Sequence, residues 1–412
     1  MTQIFPFLFR FFLIFGLVFL IDFYAYQAIK TAFFKAESPQ RPLYFYLYWG
    51  FHILLYIWVL VGVFTMNRSY GPGRFQEWAM TVAVATLLPK IILILFLLGE
   101  DLYRAIAAPF QQPHAHLPER RTFLSQLAIG VAALPLAANL YGIFKGKYDF
   151  KIHKATFSYP DLPEAFDGFT ITQISDLHIG SFEDPSIVEK GIQMANSLKS
   201  DLMVFTGDMV NHHSDEAEPW IETLGKFESK MGKYSILGNH DYGDYLVWNS
   251  QEEKQQNITN LLHYQRKMGF RPLLNESVKL EKNGEFIRLA GVENWGAGGF
   301  SKYGDLTKAM EQVEDETFTV LLSHDPSHFS EQVRHFPMNI HLTLSGHTHG
   351  MQYGIEIPGL RWSPVKFRYP TWAGAYGSGS RKIYVNRGFG FIGFRGRVGI
   401  WPEITQITLK RG

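Results

Sequence analysis

The sequence predicts a four-helix membrane bundle followed by an α/β domain, and three observations carry that reading. Roughly the first 145 residues are crowded with Phe, Leu, Ile, Tyr and Trp and hold few charges, whereas the remainder has the mixed patterning of a water-exposed domain. Four apolar stretches in the first part each reach the roughly 20 residues that a bilayer-spanning helix needs. From about Phe150 onward, short apolar runs alternate with amphipathic ones. That alternation is typical of α/β domains, whose ligands gather at the carboxyl ends of strands. The expected boundary gives a membrane domain over 1–146 and a second domain over 147–412.

The expected spans are 4–25, 43–66, 78–98 and 123–144. Their connections hold Pro39 and Pro42, then Gly71, Pro72 and Gly73, then Pro113 and Pro118, all loop residues. Tyr44, Tyr46, Tyr48 and Trp49 form an aromatic belt at one end of the second span. Arg10 and Lys90 lie inside spans, where a charge is either functional or snorkels to the interface. The first span is expected to be a retained helix and not a cleaved leader. The alternative to a membrane domain is a buried bundle in a water-soluble protein, which four such charge-poor runs disfavour.

Orientation is read from the basic loops. Lys30, Lys35 and Arg41, and later Arg120 and Arg121, place two connections in the cytoplasm and the C-terminal domain outside, while Lys145, Lys147, Lys151 and Lys154 argue the reverse. The run from Arg120 to Leu124 before an apolar stretch resembles a twin-arginine export signal, placed internally. The balance favours an extracytoplasmic C-terminal domain on a multi-pass protein of a bacterial inner membrane.

The chain has 412 residues, room for two or three domains, and a formal net charge of +1 with scattered basic residues. Nucleic acid is therefore not an expected partner. The sequence has no cysteine, which excludes disulfides, thiolate metal sites and a cysteine nucleophile; any metal must be held by nitrogen and oxygen.

Expected strands are 155–159, 169–174, 202–205, 234–237, 287–292, 317–322, 340–344, 382–385 and 404–409; expected helices are 186–198, 219–228, 249–268 and 306–313. Five of the strands end in metal-ligating chemistry. After Ile174 come Asp176 and His178, and after Phe205 come Gly207 and Asp208. Leu237 is followed by Gly238, Asn239, His240 and Asp241, Leu322 by His324 and Asp325, and Leu344 by Gly346, His347 and His349. Each block alone is common; five in succession point to a shared site.

From about Lys154 to Lys410 the chain resembles the calcineurin-like metallophosphoesterases, whose blocks run Asp-x-His, Gly-Asp, Gly-Asn-His-Asp, His, Gly-His-x-His. With the upstream spans it is most similar to their transmembrane subgroup, although Met351 stands where that subgroup often has glycine. The resemblance implies a four-layer sandwich of two mixed sheets flanked by helices. It also implies two divalent ions, manganese first and iron, zinc or magnesium as alternatives. Asp176, His178, Asp208 and His349 would hold one ion; Asp208 would bridge to the other, held also by Asn239, His324 and His347. Two such ions about 3.5–4 Å apart can supply a hydroxide and clamp phosphoryl oxygens. His240 would stabilise or protonate the leaving oxygen, a task suited to an imidazole. Where some members carry Asp to orient that histidine, this chain has Asn211.

Arg387, beside Gly388 and Gly390, is a candidate for holding a substrate phosphate, with Arg395 and Arg397 after it; a solvated loop is the alternative. His153, His212, His213, His263, His328, His335 and His341 are expected in surface or core roles. The segments 242–248 and 295–300 offer aromatics for an acyl chain or a base, or for the core. The expected activity is a membrane-anchored phosphohydrolase acting on a phosphodiester or pyrophosphate, with a lipid-linked substrate such as UDP-2,3-diacylglucosamine of lipid A synthesis as a candidate. Its partners would be the bilayer and that substrate, and its oligomeric state is left open. The alternative is a polytopic transporter or scaffold with a silent domain.

Overall fold

The computed structural model describes residues 4–34, 38–107, 109, 118–314 and 316–412. Lys35 and Pro113, and the side chain of Arg10, lie outside the described residues. The chain divides into two compact units, Met1–Met66 with Arg74–Tyr141, and Asn67–Gly73 with Gly142–Gly412. The division therefore falls slightly earlier than 146/147, and it assigns the turn around Gly71 to the second unit.

The first unit consists of α1 (Ile4–Phe33), α2 (Arg41–Thr65), α3 (Arg74–Ala107) and most of α4 (Pro118–Phe144). All four are long and apolar enough to cross a membrane, and each is longer than its expected span. At most 28% of each apolar window is buried, so the apolar faces need lipid and the water-soluble bundle is ruled out. Pro89 interrupts α3 and cannot donate to the Ala85 carbonyl one turn earlier. Asn139 Nδ2 of α4 donates to that carbonyl instead, at 3.0 Å, which repairs the ladder.

Lys90, the next residue, is not at the interface but inside the bundle. Its Nζ lies 2.5 Å from Asp22 Oδ1, and the Asp22 side chain is fully buried. Tyr56 donates to the same carboxylate, and His52 Nε2 lies 3.6 Å from it. Removing one partner strands the other charge in an apolar bundle. Lys90→Met is expected to destabilise the unit by about 3–5 kcal/mol, and Asp22→Leu with Lys90→Met to recover most of that loss. Thermal and denaturant unfolding in detergent micelles measure both.

The second unit is a four-layer sandwich, as expected. Its strands are β1 (Lys151–Tyr159), β2 (Thr170–Ile174), β3 (Leu202–Phe205), β4 (Lys233–Ser235), β5 (Phe270–Pro272), β6 (Glu276–Lys282), β7 (Glu285–Gly291), β8 (Thr319–Leu322), β9 (Leu342–Ser345), β10 (Ile355–Ile357), β11 (Leu360–Trp362), β12 (Gly374–Ser378), β13 (Arg381–Val385) and β14 (Glu403–Arg411). One sheet has the order β1-β14-β2-β3-β4-β5 and the other β12-β13-β9-β8-β7-β6, while β10 and β11 form a separate hairpin. Strands β2 to β5 are parallel, as are β7, β8, β9 and β13, so their carboxyl ends share one rim.

Between the sheets lies a core that includes Ile171, Val204, Ile407, Leu289, Val320 and Leu344. Helices α5 (Pro185–Ser197), α6 (Ile221–Gly225) and α7 (Gln251–Lys267) cover the outer face of the first sheet through Val188, Ile192, Leu224 and Leu261. The second sheet is covered by α8 (Leu306–Met310) and α9 (Ser327–Glu331). Asp184 caps α5 through Ser186 N with Pro185 in the first turn, and Ser250 caps α7 through Glu253 N. The expected helix over 219–228 is shorter, because Glu218–Trp220 is a tighter turn leading into α6.

Candidate metal centre

The rim receives the five donor blocks, and tight backbone turns aim them. Asp176 (φ 51°), His178 (44°), Asp208 (60°), His347 (73°) and His349 (49°) all occupy the left-handed region. Non-glycine residues pay a cost there and persist only when the surroundings over-determine them. Gly207 (φ +96°) lets the second block pass against Gly238 and His324, where a Cβ would lie 2.6 Å from Gly238 N. Gly346 is as tightly held, since a Cβ would collide with Ser175 and the Asp176 carboxylate.

Three donor groups result: Asp176 with His178 and His349, His178 with Asp208 and His240, and Asp208 with His324 and His347. Within each, the candidate ligand atoms lie within 4.8 Å of one another. His178 links the first two and Asp208 the last two, so the three groups form one continuous cluster. Asn239 joins the third group, with Oδ1 2.8 Å from His347 Nδ1. The structure thus brings together all seven residues read as ligands, with His240 beside them.

The partners of the rings suit these atoms to cations. His324 Nδ1 donates to the Thr206 carbonyl at 2.7 Å, which turns its buried Nε2 toward Asp208 Oδ2, 3.1 Å away. His178 likewise spends Nδ1 on the Val210 carbonyl, and its Nε2 lies 3.0 Å from His349 Nε2. Asn239 Nδ2 donates to Tyr245, turning Oδ1 toward His347 Nδ1. A ring proton bridges each of these pairs, and a cation bound between them would take that proton's place. Burial alone would lower the His324 pKa, yet Asp208 and Asp176 push it up to about 10. Burial likewise opposes ionisation of Asp208, but the neighbouring His324, His240 and His178 hold its carboxyl well below the usual range. Mixed nitrogen and oxygen donors of this kind suit manganese, iron, zinc or magnesium.

Several residues take supporting roles that the sequence did not assign to them. Asp241 accepts from the N–H groups of Asp208, Met209 and Gly238 at 2.8–2.9 Å, tying two ligand loops together. Burial, with Asp208 next, pushes its carboxyl up to about 7. His347 Nε2 faces Tyr369 at 2.8 Å and Asp325 at 3.4 Å, so a carboxylate orients the ring from behind. Asp325→Asn is expected to loosen metal binding about 10- to 100-fold, read by competition with a chelator. Arg397 is wholly buried, donates to the carbonyls of Arg387, Gly388 and Gly390, and places Nη2 3.1 Å from His349 Nδ1. The adjacency of Asp325 to His324 and of Asp241 to His240 was the available signal; Arg397 was read as a phosphate contact and not as a support for His349, and Tyr369 had no signal in spacing.

His240 Nδ1 donates to the main-chain carbonyl of Asn211 at 2.6 Å, and its ring lies 4.9 Å from that of His178. The amide of Asn211 pairs with Ser181 instead, so the backbone and not the side chain orients His240. Tyr245 packs over His240 at 4.8 Å and Phe300 meets His347 edge-on at 4.8 Å, so both expected aromatic segments supply a ring to the rim. Tyr242 instead turns into the core against Tyr303.

Arg387 does not offer an anion site. Its guanidinium is buried between Glu403 Oε2 at 2.6 Å and Glu356 Oε1 at 2.5 Å, so its charge is already spent. Arg395 is similarly engaged with Glu183. Among the remaining histidines, His341 and His328 are satisfied in the core, while His212 stands closer to the centre than expected, 5.9 Å from His240.

This chain belongs to the calcineurin-like phosphoesterases. Residues 169–351 match the family model for the calcineurin-like phosphoesterase, and residues 7–147 match that for a probable calcineurin-like phosphoesterase transmembrane domain. It is similar to "Uncharacterized metallophosphoesterase YkuE" of Bacillus subtilis (strain 168), 31% identical over 71% of this chain and 97% of that one. It is also similar to "Transmembrane protein with metallophosphoesterase domain" of Danio rerio, 27% identical over 90% of this chain and 82% of the relative. An uncharacterized metallophosphoesterase of Helicobacter pylori (strain ATCC 700392 / 26695) is 24% identical over 96% and 98%. The chain is a membrane protein of the metallophosphoesterase family.

Proposed function

We propose that the protein is a two-metal phosphohydrolase that cleaves a phosphodiester or pyrophosphate, with a lipid-linked substrate such as UDP-2,3-diacylglucosamine as the candidate class. The observation that carries this reading is Asp208, whose Oδ2 lies 3.6 Å from His178 Nε2 and 3.1 Å from His324 Nε2, between the two sets of candidate ligands. Asp176, His178 and His349 would hold one ion and Asn239, His324 and His347 the other, manganese being the first candidate. When bound, such a pair supplies a nucleophile at neutral pH and neutralises phosphoryl oxygens.

The chain's own residues do the rest. The Asn211 carbonyl keeps hydrogen on His240 Nδ1, which leaves Nε2 for the reaction. In its protonated form His240 gives the Nε2 proton to the departing oxygen as the P–O bond breaks. Tyr245 and Phe300 wall the rim with rings that a nucleoside base or an acyl chain can pack against. Bilayer attachment lets the enzyme meet a lipid-anchored phosphate without extracting it.

The test uses the full chain in nanodiscs with manganese. Aryl phosphodiester, UDP-2,3-diacylglucosamine and simple diesters are offered in parallel, and chelation is expected to stop turnover that manganese restores. A fully loaded protein that turns over none of them leaves the scaffold or transporter reading. We further propose that the catalytic unit lies outside the cytoplasm of a bacterial inner membrane, supported by the basic connections and by the Arg120, Arg121 pair. A reporter fused after Gly412 that is active only in the cytoplasm overturns this placement.

A further inference from the structure

The hairpin of β10 and β11 exposes apolar side chains. It pairs with neither six-stranded sheet. Within it, Ile355 opposes Trp362, Glu356 opposes Arg361, and Ile357 opposes Leu360. Directly opposed residues share a face, so the charged pair lies on one side and the apolar pairs on the other. Glu356 on the charged side and Trp362 on the apolar side are half-buried, while Arg361 is exposed. Glu356 reaches Arg387, and Arg361 lies over the rings of Trp372 and Tyr376 at 5.6 and 5.5 Å. The apolar side faces out, leaving Ile355, Ile357 and Leu360 47%, 57% and 49% exposed. Phe367, just beyond the hairpin, is 80% exposed, and Met351, just before it, is 59% exposed.

A water-facing sheet normally shows its polar side. Charge completes the picture. From Met351 to Arg368 the chain has one acid, Glu356, which is turned inward, and three bases, of which Lys366 and Arg368 flank Phe367. Apolar side chains rimmed by cations suit an anionic headgroup layer, where the rings and branched chains enter and the bases meet phosphates. A second copy fits less well, because a self-complementary contact would set these cations against one another. We propose that this face, Ile355, Ile357, Leu360 and Phe367 with Lys366 and Arg368, rests on an anionic lipid surface. The same segment carries His349 two residues before Met351 and Tyr369 directly after Arg368, so the lipid contact holds the metal ligands at headgroup height. The proposal stands whether or not the substrate is itself a lipid.

The absence of native cysteine permits single-site labels. Ile357→Cys and Phe367→Cys, each carrying an environment-sensitive fluorophore, are placed in the full chain in nanodiscs containing headgroup-proximal spin-labelled lipid. The control is Lys279→Cys on β6, the opposite edge of the second sheet. Strong quenching is expected at 357 and 367 and none at 279, with metal content and melting temperature equal to those of the parent. Quenching is expected to deepen when phosphatidylglycerol joins phosphatidylcholine, and Lys366→Glu with Arg368→Glu removes only that increment. Absence of quenching at both positions overturns the proposal. So does label-to-label energy transfer between copies that persists in detergent, which assigns the face to a dimer.

Discussion

Asp208→Asn is expected to lower phosphodiester turnover at least about 10³-fold, since several kcal/mol of charge stabilisation depend on the paired ions and each 1.4 kcal/mol is tenfold. The substitution keeps the size of the side chain but removes the charge that faces His324 at 3.1 Å and His178 at 3.6 Å. His240 N still finds an oxygen acceptor at that position, so the loop should hold its shape. Metal analysis of the purified variant is therefore expected to show reduced content with melting little changed in the presence of chelator. Full activity in this variant would sink the two-metal reading.

His240→Ala gives the second large effect, with kcat expected to fall about 10²- to 10⁴-fold, the range of a positioned proton donor. Metal content should stay near that of the parent, because six other side chains besides Asp208 remain to hold the ions. The loss should shrink when the leaving group is a nitrophenolate, which departs without a proton, and be largest for an alkyl alcohol. Equal losses for both leaving groups would remove His240 from proton transfer and leave it a packing role against Tyr245 and His178.

The site was legible because its ligands come in short blocks, each fixed to the end of a strand, so local sequence nearly specifies local geometry. Asp176 and His178, or His347 and His349, need no distant information to be recognised. Arg387 failed for the opposite reason. Its partners Glu356 and Glu403 are 31 and 16 residues away, and only the folded chain shows that its charge is consumed. Asn211 failed in a subtler way, since the atom that orients His240 is a backbone carbonyl, which any residue could provide. Strands β5, β10 and β11 span three residues each, too few to show a period. In β6, charges surround Val278 and Leu280 as suits an edge, and β12 is built largely from glycine and small residues. In the membrane unit, length and apolarity declared the helices, but only packing shows that Lys90 faces Asp22 and not the interface.

Five residues read as ligands sit in backbone conformations that L-amino acids avoid, each at a cost of roughly 1–3 kcal/mol. Cations fastening their side chains would offset that cost from outside the polypeptide. Without ions, these turns would hold that strain uncompensated, a set of drawn springs around the rim. Amide hydrogens there would exchange early under chelation while the strands beneath keep theirs, so holoprotein and apoprotein would differ in local resilience before they differ in shape.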